Sequence, residues 1–386
     1  MRVLTSAAAG GGRGEQLTVP TGRYVSDPGV PTFYGRVDLA EDVSFQLVRE
    51  LPRSLRWADL VHVTALWSPS SLLCLSLCVT PGSPWQRPLV ISPRGALLGW
   101  ALQQRGQRKQ AVLRMLRPLL QRVAGWHATS TEEADALRSL GIVGPRATIA
   151  VVGNGTFLPT PDVPSDVPSD VPSDVPSDAP SDTPSDAATQ AFLDRIAKLP
   201  HPRIVTLGRV HPVKNLELAI DALARLRRLP GSEAATLLIT GPELAGQDYG
   251  DRLRAQAKDL GLADAVQFLG LVQGVTKHRL LALADVLWLP SHMESFGNVV
   301  VEALAAGTPV VAAQTTPWRD LEVLRVGRWL APDAAQFAQA TAALCALRPR
   351  ADWLTHCRTV AQAHFAWPAR ERELRTLYAS VLDRPL

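Results

Sequence analysis

The chain has 386 residues, of which 46% are hydrophobic and 20% charged, and this balance is typical of two folded domains with sizeable cores. Because no apolar run is long enough to span a membrane, no secretory signal stands at the N-terminus and the four cysteines form no C-x-x-C pair, we expect a cytoplasmic protein without disulfides. The net charge is +4, but no nucleic-acid-binding module accompanies it, which disfavours a nucleic-acid partner.

In the N-terminal half, the sequence patterns that indicate strands and helices are recognisable but weaker than those in the C-terminal half. Residues 1–4 fit a short first strand, residues 10–14 fit a glycine loop, and residues 43–51 form the first amphipathic segment. Strands are predicted over 58–63 and 88–92. A further apolar stretch that contains His127 leads into a helix, which Ser130 is placed to cap because Glu133 follows three residues later.

Six cations lie on one predicted helix, interleaved with leucine and methionine: Arg105, Arg108, Lys109, Arg114, Arg117 and Arg122. Such a helix can lie against anionic lipid or face an acidic lipid-linked acceptor. It can equally be a solvated amphipathic helix that packs on its own domain, and this interpretation is slightly favoured.

A proline-containing repeat separates the two halves. Six units of the type Val-Pro-Ser-Asp run from residue 163 to residue 186. Proline in every unit, the lack of aromatic residues and six like charges prevent a packed core, so we predict a disordered linker over 161–198. Without the six aspartates the net charge of the remainder is about +10.

The C-terminal half alternates strands and helices. Helices are predicted over 215–228 and 251–260, and the strands over 204–207, 236–240, 266–269, 286–289 and 310–313. This alternation predicts a doubly wound parallel sheet, in which ligands bind at the carboxyl ends of the strands. A G-x-G-x-x-G fingerprint does not follow these strands, which disfavours a dehydrogenase.

A glycine turn and two cations follow the strand at 204–207. Gly208 and Arg209 open a short loop that ends at Lys214, and Asn215 is placed to cap the next helix. A departing nucleoside diphosphate gains negative charge, which an arginine and a lysine stabilise. For an isolated pair, two cations in a solvated loop are the usual interpretation.

Two carboxylates, separated by seven residues, flank the turn after the strand at 286–289. Glu294 lies in the loop, Asn298 is the expected N-cap of a helix that ends at Gly307, and Glu302 falls in about the first turn. Free N–H groups at a helix N-terminus hold phosphate, and a nearby carboxylate accepts hydrogen bonds from sugar hydroxyls. Surface charges that complement the helix dipole are the alternative interpretation.

The strings E-S-F-G-N-x3-E-A-x-A-x-G-T-P-V-V from Glu294 and G-R-x4-K from Gly208 resemble the signatures of the family-4 retaining glycosyltransferases, polysaccharide-biosynthesis group 1 type. The resemblance implies an α/β protein of GT-B fold, with two Rossmann-like doubly wound domains facing across a cleft. It places Glu294 beside the donor sugar and Arg209 with Lys214 on the diphosphate. The donor-binding residues that it implies are Glu302 on the ribose, Gly208, Phe296, Gly297 and Asn298.

Weaker strings resemble a polysaccharide-building branch of the same family: Ser-Pro-Arg-Gly at 92–95, His-Ala-Thr-Ser from 127, Gly-Asn-Gly at 153–155 and Thr-Pro-Trp-Arg-Asp-Leu from 316. They imply that Arg94 faces the donor or the acceptor. His127 is a weak candidate, because a histidine beside an apolar run more often lies in a core or at its rim. Family members open with more elements than residues 1–50 hold, so an N-terminal domain that is incomplete at its start is expected.

The sequence thus predicts a metal-independent enzyme, without a cofactor, that moves a sugar from a nucleoside-diphosphate sugar to a glycan or lipid-linked acceptor. It contains no D-x-D motif and no His/Cys cluster at metal-ligand spacing. In the family, the acceptor attacks on the face that the leaving phosphate vacates, with that phosphate as the base. A GT-B-fold sugar-nucleotide epimerase and a truncated nucleotide-sugar-binding remnant without turnover are the alternatives.

The expected organisation is an N-terminal acceptor-side domain over 1–160, the linker over 161–198, a nucleotide-sugar-binding domain over 199–365 and a C-terminal crossover helix over 366–386. The place of action is the cytoplasm, with peripheral contact at the inner membrane face as one option.

Overall fold

The structure is a computed structural model that describes residues 1–8, 16–27, 29–38, 43–103, 106–156, 186–243, 248–347 and 350–383. Within these residues the chain divides into two compact units. The N-terminal unit comprises residues 1–153 and 370–383, and the C-terminal unit comprises residues 154–156 and 186–369. The glycine loop predicted at 10–14 and residues 161–185 of the predicted linker lie outside the described residues.

The N-terminal unit contains two sheets. Its strands are β1 (Val3–Ser6), β2 (Tyr24–Asp27), β3 (Val30–Gly35), β4 (Val61–Thr64), β5 (Leu89–Ser92), β6 (Gly125–Ala128) and β7 (Thr148–Val151). The last four form a parallel sheet of order β4-β5-β6-β7, as expected for a Rossmann-like domain. The predicted first strand is present but joins a separate sheet of order β1-β3-β2. Its β2–β3 hairpin was not predicted, although an Asp-Pro-Gly turn signal marks it.

Five helices accompany these strands: α1 (Phe45–Trp57), α2 (Pro69–Val79), α3 (Gly99–Gln103), α4 (Gly106–Leu120) and α5 (Thr131–Ser139). Ser130 caps α5 as predicted, because its Oγ accepts a hydrogen bond of 3.2 Å from the N–H of Glu133. Of the six cations predicted on one helix, four lie on α4, Arg122 follows its end, and Arg105 lies outside the described residues. The helix buries Leu113, Leu116 and Leu120 and exposes its arginines, which is the packing expected of a solvated amphipathic helix.

The C-terminal unit is built on one six-stranded parallel sheet of order β10-β9-β8-β11-β12-β13. Its strands are β8 (Arg203–Leu207), β9 (Thr236–Thr240), β10 (Val266–Gly270), β11 (Val286–Leu289), β12 (Val310–Ala313) and β13 (Gly327–Leu330). The five predicted strands are confirmed, and β13 is an addition at the sheet edge.

Helices cover this sheet and close the chain: α6 (Asp186–Ala197), α7 (Leu216–Leu226), α8 (Tyr249–Asp259), α9 (Gly274–Leu283), α10 (Asn298–Ala306), α11 (Asp320–Val323), α12 (Ala334–Leu347), α13 (Arg350–Phe365) and α14 (Trp367–Leu382). The core of the unit is formed by the nearly fully buried β8, β9, β11 and β12 together with the apolar faces of α7, α10 and α12. Strands buried on both faces are expected in such a sheet.

The predicted linker boundary at residue 198 is wrong, because α6 already begins at Asp186. Leu193 and Ile196 of this helix are 3% and 0% exposed and belong to the core of the C-terminal unit. They lie three residues apart on one helical face, and this apolar periodicity decides the local structure where the repeat ends.

The C-terminal helix α14 covers Trp367–Leu382 of the segment 366–386 over which a closing helix is predicted. From Arg370 onward it is part of the N-terminal unit. There Leu377 and Val381 pack with Val90 of β5, and the hydroxyl of Tyr378 lies 2.7 Å from Nδ1 of His62. Among the described residues, a small apolar cluster and the contact of Tyr378 with His62 thus hold α14 within this unit.

Candidate functional site

The candidate site lies where the strand order of the six-stranded sheet reverses. The chain runs outward from β8 through β9 to β10 and then returns to place β11 directly beside β8. The loops after β8 and β11 therefore leave the carboxyl edge of the sheet in opposite directions and open a crevice, which is where such sheets bind ligands. The G-R-x4-K loop follows β8, and the loop that contains Glu294 follows β11.

The loop after β8 depends on glycine. Gly208 has a φ of +147°, and a Cβ there would lie only 2.9 Å from Cε of Lys214. Gly241, at the end of β9, approaches so closely that its Cβ would lie 2.0 Å from the carbonyl oxygen of Gly208. A side chain at Gly208 would collide with Lys214, and a side chain at Gly241 would collide with the backbone of Gly208. The loop therefore needs glycine at both positions.

Lys214 and Glu294 are brought together although they are eighty residues apart in sequence. The Nζ of Lys214 donates to Oε1 of Glu294 at 2.7 Å, and the Ser291 hydroxyl donates to the same oxygen at 2.7 Å. The two charged side chains are only 20% and 11% exposed. An ammonium and a carboxylate held so close and so well shielded form a strong, directed contact.

Hydrogen bonds lock the two loops to each other around this ion pair. The N–H of His292 donates to the carbonyl of Val213 at 2.8 Å, and the side-chain amide of Asn215 donates to the carbonyl of Pro290 at 3.2 Å. Asn215 precedes α7 with a left-handed φ of 51° and makes no side-chain cap. The predicted capping role of Asn215 is therefore wrong, because its amide is used to hold the neighbouring loop.

The field around the β8 loop is positive. Burial, followed by the positive charges of Arg209 and Lys214, lowers the pKa of His211 and keeps this imidazole neutral. Arg209 itself is exposed at the mouth of the loop. Two cations next to a neutral histidine favour the binding of an anion.

The turn before α10 is held from below by a tryptophan. Nε1 of Trp318 donates to the carbonyl of Phe296, and the two rings pack with their centroids 5.1 Å apart. Gly297, with a left-handed φ of 85°, is the residue that caps α10. Asn298 is thus the first helical residue and not the N-cap predicted from sequence; only glycine takes this backbone conformation without strain.

Glu302 is the fifth residue of α10 and forms an ion pair that the sequence analysis did not predict. The Nζ of Lys277, on α9, donates to Oε1 of Glu302 at 2.9 Å, and both side chains are mostly buried. No motif marks Lys277, because its distance from Glu302 follows from how α9 packs on α10.

Arg94 and His127 lie in the N-terminal unit. Arg94 follows β5 with a φ of 53°. His127, on β6, is 3% exposed, and its Nε2 lies 2.8 Å from the carbonyl of Val152. Burial lowers the pKa of His127 to about 4, and the charge of Arg94 adds to this shift. This environment suits a buried, neutral histidine.

The loops after β8 and β11 place two cations, the carboxylate of Glu294 and the start of α10 at one edge of the sheet, a combination of groups that can hold an anion beside hydroxyl groups. Among the described residues, no group of three or more His, Cys, Asp or Glu side chains is placed to hold a metal ion. In the same part of the chain, no helix has the length and apolar character to cross a bilayer.

Two family models match the chain. One is described as "Glycosyl transferase 4-like domain" and matches residues 1–155, and the other is described as "Glycosyl transferases group 1" and matches residues 194–353. Together these matches account for most of the chain outside residues 156–193.

Among the curated relatives are D-inositol 3-phosphate glycosyltransferases. That of Actinosynnema mirum is 42% identical over 110 residues, which are 28% of this chain and 26% of the relative. That of Nocardia farcinica is 32% identical over 186 residues, which are 47% of this chain and 41% of the relative. The chain thus spans less than half of the length of these relatives.

Solved structures are similar over nearly the whole chain. Anabaena Alr3699/HepE in complex with UDP and glucose gives a TM-score of 0.65 at 20% identity, with 91% of this chain and 87% of that chain covered. Sucrose-phosphate synthase from Thermosynechococcus elongatus gives a TM-score of 0.67 at 21% identity, with 98% and 88% covered. At such identities the similarity shows a common fold.

Proposed function

Because the chain belongs to the group 1 glycosyltransferases and has the GT-B fold, we propose that it transfers a sugar from a nucleoside-diphosphate sugar to an acceptor with retention of configuration. The observation that carries the proposal is the contact between Lys214 and Glu294 at the reversal of the strand order. A nucleoside diphosphate is the donor class that suits a crevice with cations, helix N–H groups and two carboxylates.

In this proposal the diphosphate lies against Lys214 and Arg209, with the N–H groups of Gly297 and Asn298 as further donors. Lys214 is then shared between the phosphate and Glu294, which orients the ammonium. Cations that face the bond to be broken stabilise the charge that develops on the departing diphosphate, and this effect is larger in a site that excludes water. Such stabilisation needs no divalent ion, so we propose that the reaction is metal-independent.

The two carboxylates bind the donor sugar and the ribose. Glu294 lies next to the cation that holds the phosphate, so it is placed to accept hydrogen bonds from the donor sugar, while Glu302 accepts those of the ribose. Phe296 and Gly208 shape the crevice, the former by packing on Trp318 and the latter by leaving room for Lys214. During transfer, the C1–O bond to the phosphate breaks, the acceptor oxygen bonds to C1 on the same face, and its proton passes to the departing phosphate.

The acceptor that we propose is a glycan or a lipid-linked glycan in polysaccharide biosynthesis. In the N-terminal domain, Arg94 is the residue proposed to face the donor or the acceptor. His127 remains a weak candidate because it is buried. For the place of action we propose the cytoplasm with peripheral contact at the inner membrane face, through the exposed cations Arg108 and Arg114 of α4. Sedimentation with phosphatidylglycerol vesicles tests this contact, and equal sedimentation of an Arg108→Glu/Arg114→Glu variant would contradict it.

Radiolabelled UDP- and GDP-sugars test the activity, each incubated with and without glycan acceptors. Transfer by the native chain that Glu294→Gln abolishes supports the proposal. Glu233→Gln is the matched control, because Glu233 is exposed before β9 and so lies at the opposite edge of the sheet. Isomerisation without acceptor would instead identify an epimerase, and nucleotide binding without any turnover would identify a remnant. Failure to bind any nucleotide would reject the donor site itself.

A further inference from the structure

A short segment just before the repeat is attached to the proposed donor site. Residues 154–156 belong to the C-terminal unit although they directly follow the last strand region of the N-terminal half. The side-chain Nδ2 of Asn154 donates to Oδ1 of Asn298 at 2.7 Å, across 144 residues of sequence. Asn298 is the first residue of α10, so Asn154 is hydrogen-bonded to the N-terminus of this helix, which is the end that the diphosphate is proposed to approach.

The segment is itself held in place by the connection between α13 and α14. The N–H of Thr156 donates to the carbonyl of Phe365 at 2.9 Å, and the N–H of Trp367 donates to the carbonyl of Thr156 at 3.3 Å. Gly155 leaves no space for a side chain, because a Cβ would lie 2.6 Å from the ring of Trp367. Asn154 therefore acts from a fixed support and not from a free loop.

A second series of contacts links the connection between α13 and α14 to the turn before α10. The ring of Phe365 packs on Trp318 with centroids 5.5 Å apart, and Trp318 in turn binds the carbonyl of Phe296 and packs on its ring. A Cβ on Gly297 would lie 3.1 Å from Nε1 of Trp318, so this indole also lies directly against the cap of α10. Two sets of contacts that share Phe365 thus end on the three residues 296–298.

We propose that Asn154 is a positioning residue for the nucleotide-sugar site: through Asn298 it fixes the first turn of α10, so that the helix N–H groups point at the diphosphate. The inference rests on the proposed function and adds a residue that lies outside the G-R-x4-K and E-x7-E motifs. Because the apparent affinity falls with the fraction of the protein in the competent conformation, loss of this hydrogen bond weakens nucleotide binding. By thermodynamic linkage, a bound nucleotide in turn stabilises the contacts that residues 154–156 make.

The test is calorimetric titration of UDP, with GDP and ADP as further probes, into the full chain and its variants. The Asn154–Asn298 hydrogen bond is partly buried, and the loss of one such bond changes an equilibrium constant by roughly threefold to tenfold, so Asn154→Ala is expected to raise the Kd for UDP by up to that factor. Asn298→Ala is expected to do the same. The double variant should bind no more weakly than the weaker of the two single variants, because both changes remove the Asn154–Asn298 contact.

Asn154→Asp is the conservative rescue. The amide of Asn298 can turn so that its NH2 group donates to the new carboxylate, and affinity within about threefold of the native chain is expected. Gln190→Ala is the matched control, because it removes an amide that bonds only on the surface of the same unit, to Asp194 and Arg279. If an alanine variant does not fold, the aspartate variant and Asn298→Ala carry the comparison.

The outcomes separate this inference from the function on which it rests. A native chain that binds UDP while both alanine variants bind it with an unchanged Kd overturns the positioning role and leaves the donor site intact. Lower thermal stability with an unchanged Kd also overturns it, because a purely structural contact behaves in this way. A native chain that binds none of the three nucleotides rejects the proposed function instead.

Discussion

Replacement of Lys214 by methionine separates the catalytic role of this lysine from its structural one. The variant keeps the length of the side chain above Gly208 and removes only the charge that contacts Glu294 at 2.7 Å. The carboxylate, 11% exposed, is left with the hydroxyl of Ser291 as a donor. A buried carboxylate that loses a charged partner costs about 1–3 kcal/mol of folding free energy, which urea denaturation followed by circular dichroism measures.

The expected effect on the reaction is larger. Removal of one preorganised group from a developing negative charge costs about 10²–10³ in kcat, or roughly 2.7–4 kcal/mol. Initial rates of transfer from a UDP-sugar measure kcat, and calorimetry with UDP measures the change in binding. We expect kcat to fall at least a hundredfold and the Kd for UDP to rise about tenfold, since the ammonium attracts the ground-state diphosphate as well.

The double variant Lys214→Met/Glu294→Gln distinguishes the two interpretations. It contains neither charge, so the stability lost in the single variant should largely return, because no unpaired carboxylate remains. Transfer should stay at or below the level of Lys214→Met, because Glu294→Gln by itself is expected to abolish it. A double variant that recovers the native rate, or a single variant that loses stability but keeps kcat within about fivefold, would refute a role for Lys214 in stabilising the diphosphate.

Three further changes have defined outcomes. Gly208→Ala places a methyl group 2.9 Å from Cε of Lys214 at a φ of +147°, so the Kd for UDP should rise at least about tenfold by calorimetry, and an unchanged value would argue against this packing. Glu302→Ala should reduce the thermal stabilisation by UDP, which is roughly 2.7 kcal/mol at a hundred times the Kd for the native chain; an equal response would remove Glu302 from the ribose site. Burial lowers the pKa of His62 to about 3 and that of His127 to about 4, whereas both titrate near 6.5 when unfolded. Because the unfolded chain takes up protons at these two histidines that the folded chain does not, the free energy of unfolding is unaffected by them above pH 6.5. It falls as the pH drops toward 4, by about 1.4 kcal/mol per pH unit for each histidine. Urea midpoints between pH 7 and 4.5 measure this slope, which His127→Asn should reduce.

The strand pattern of the C-terminal half was readable from the sequence because each strand is a short, mostly apolar run with glycine or proline on at least one side. β9, β11 and β12 have the predicted bounds, and β8 and β10 differ by one residue. Of these strands, β8, β9, β11 and β12 are buried on both faces, so local composition alone decides them. The small β1-β3-β2 sheet was missed apart from its first strand, because its strands are half-exposed and short.

The sequence by itself determined which chemical groups lie in the loops of the site: Gly208, Arg209 and Lys214 after one strand, and Glu294 and Glu302 around the next. Only the tertiary structure decided their partners. Lys214 meets Glu294 because β11 lies beside β8, and the Asn154–Asn298 and Lys277–Glu302 contacts likewise join residues on separate elements. Local periodicity records which face of a strand or helix is buried, but contacts between separate elements, here 25 to 144 residues apart in sequence, depend on sheet order and helix packing, which the free energy of the whole core selects.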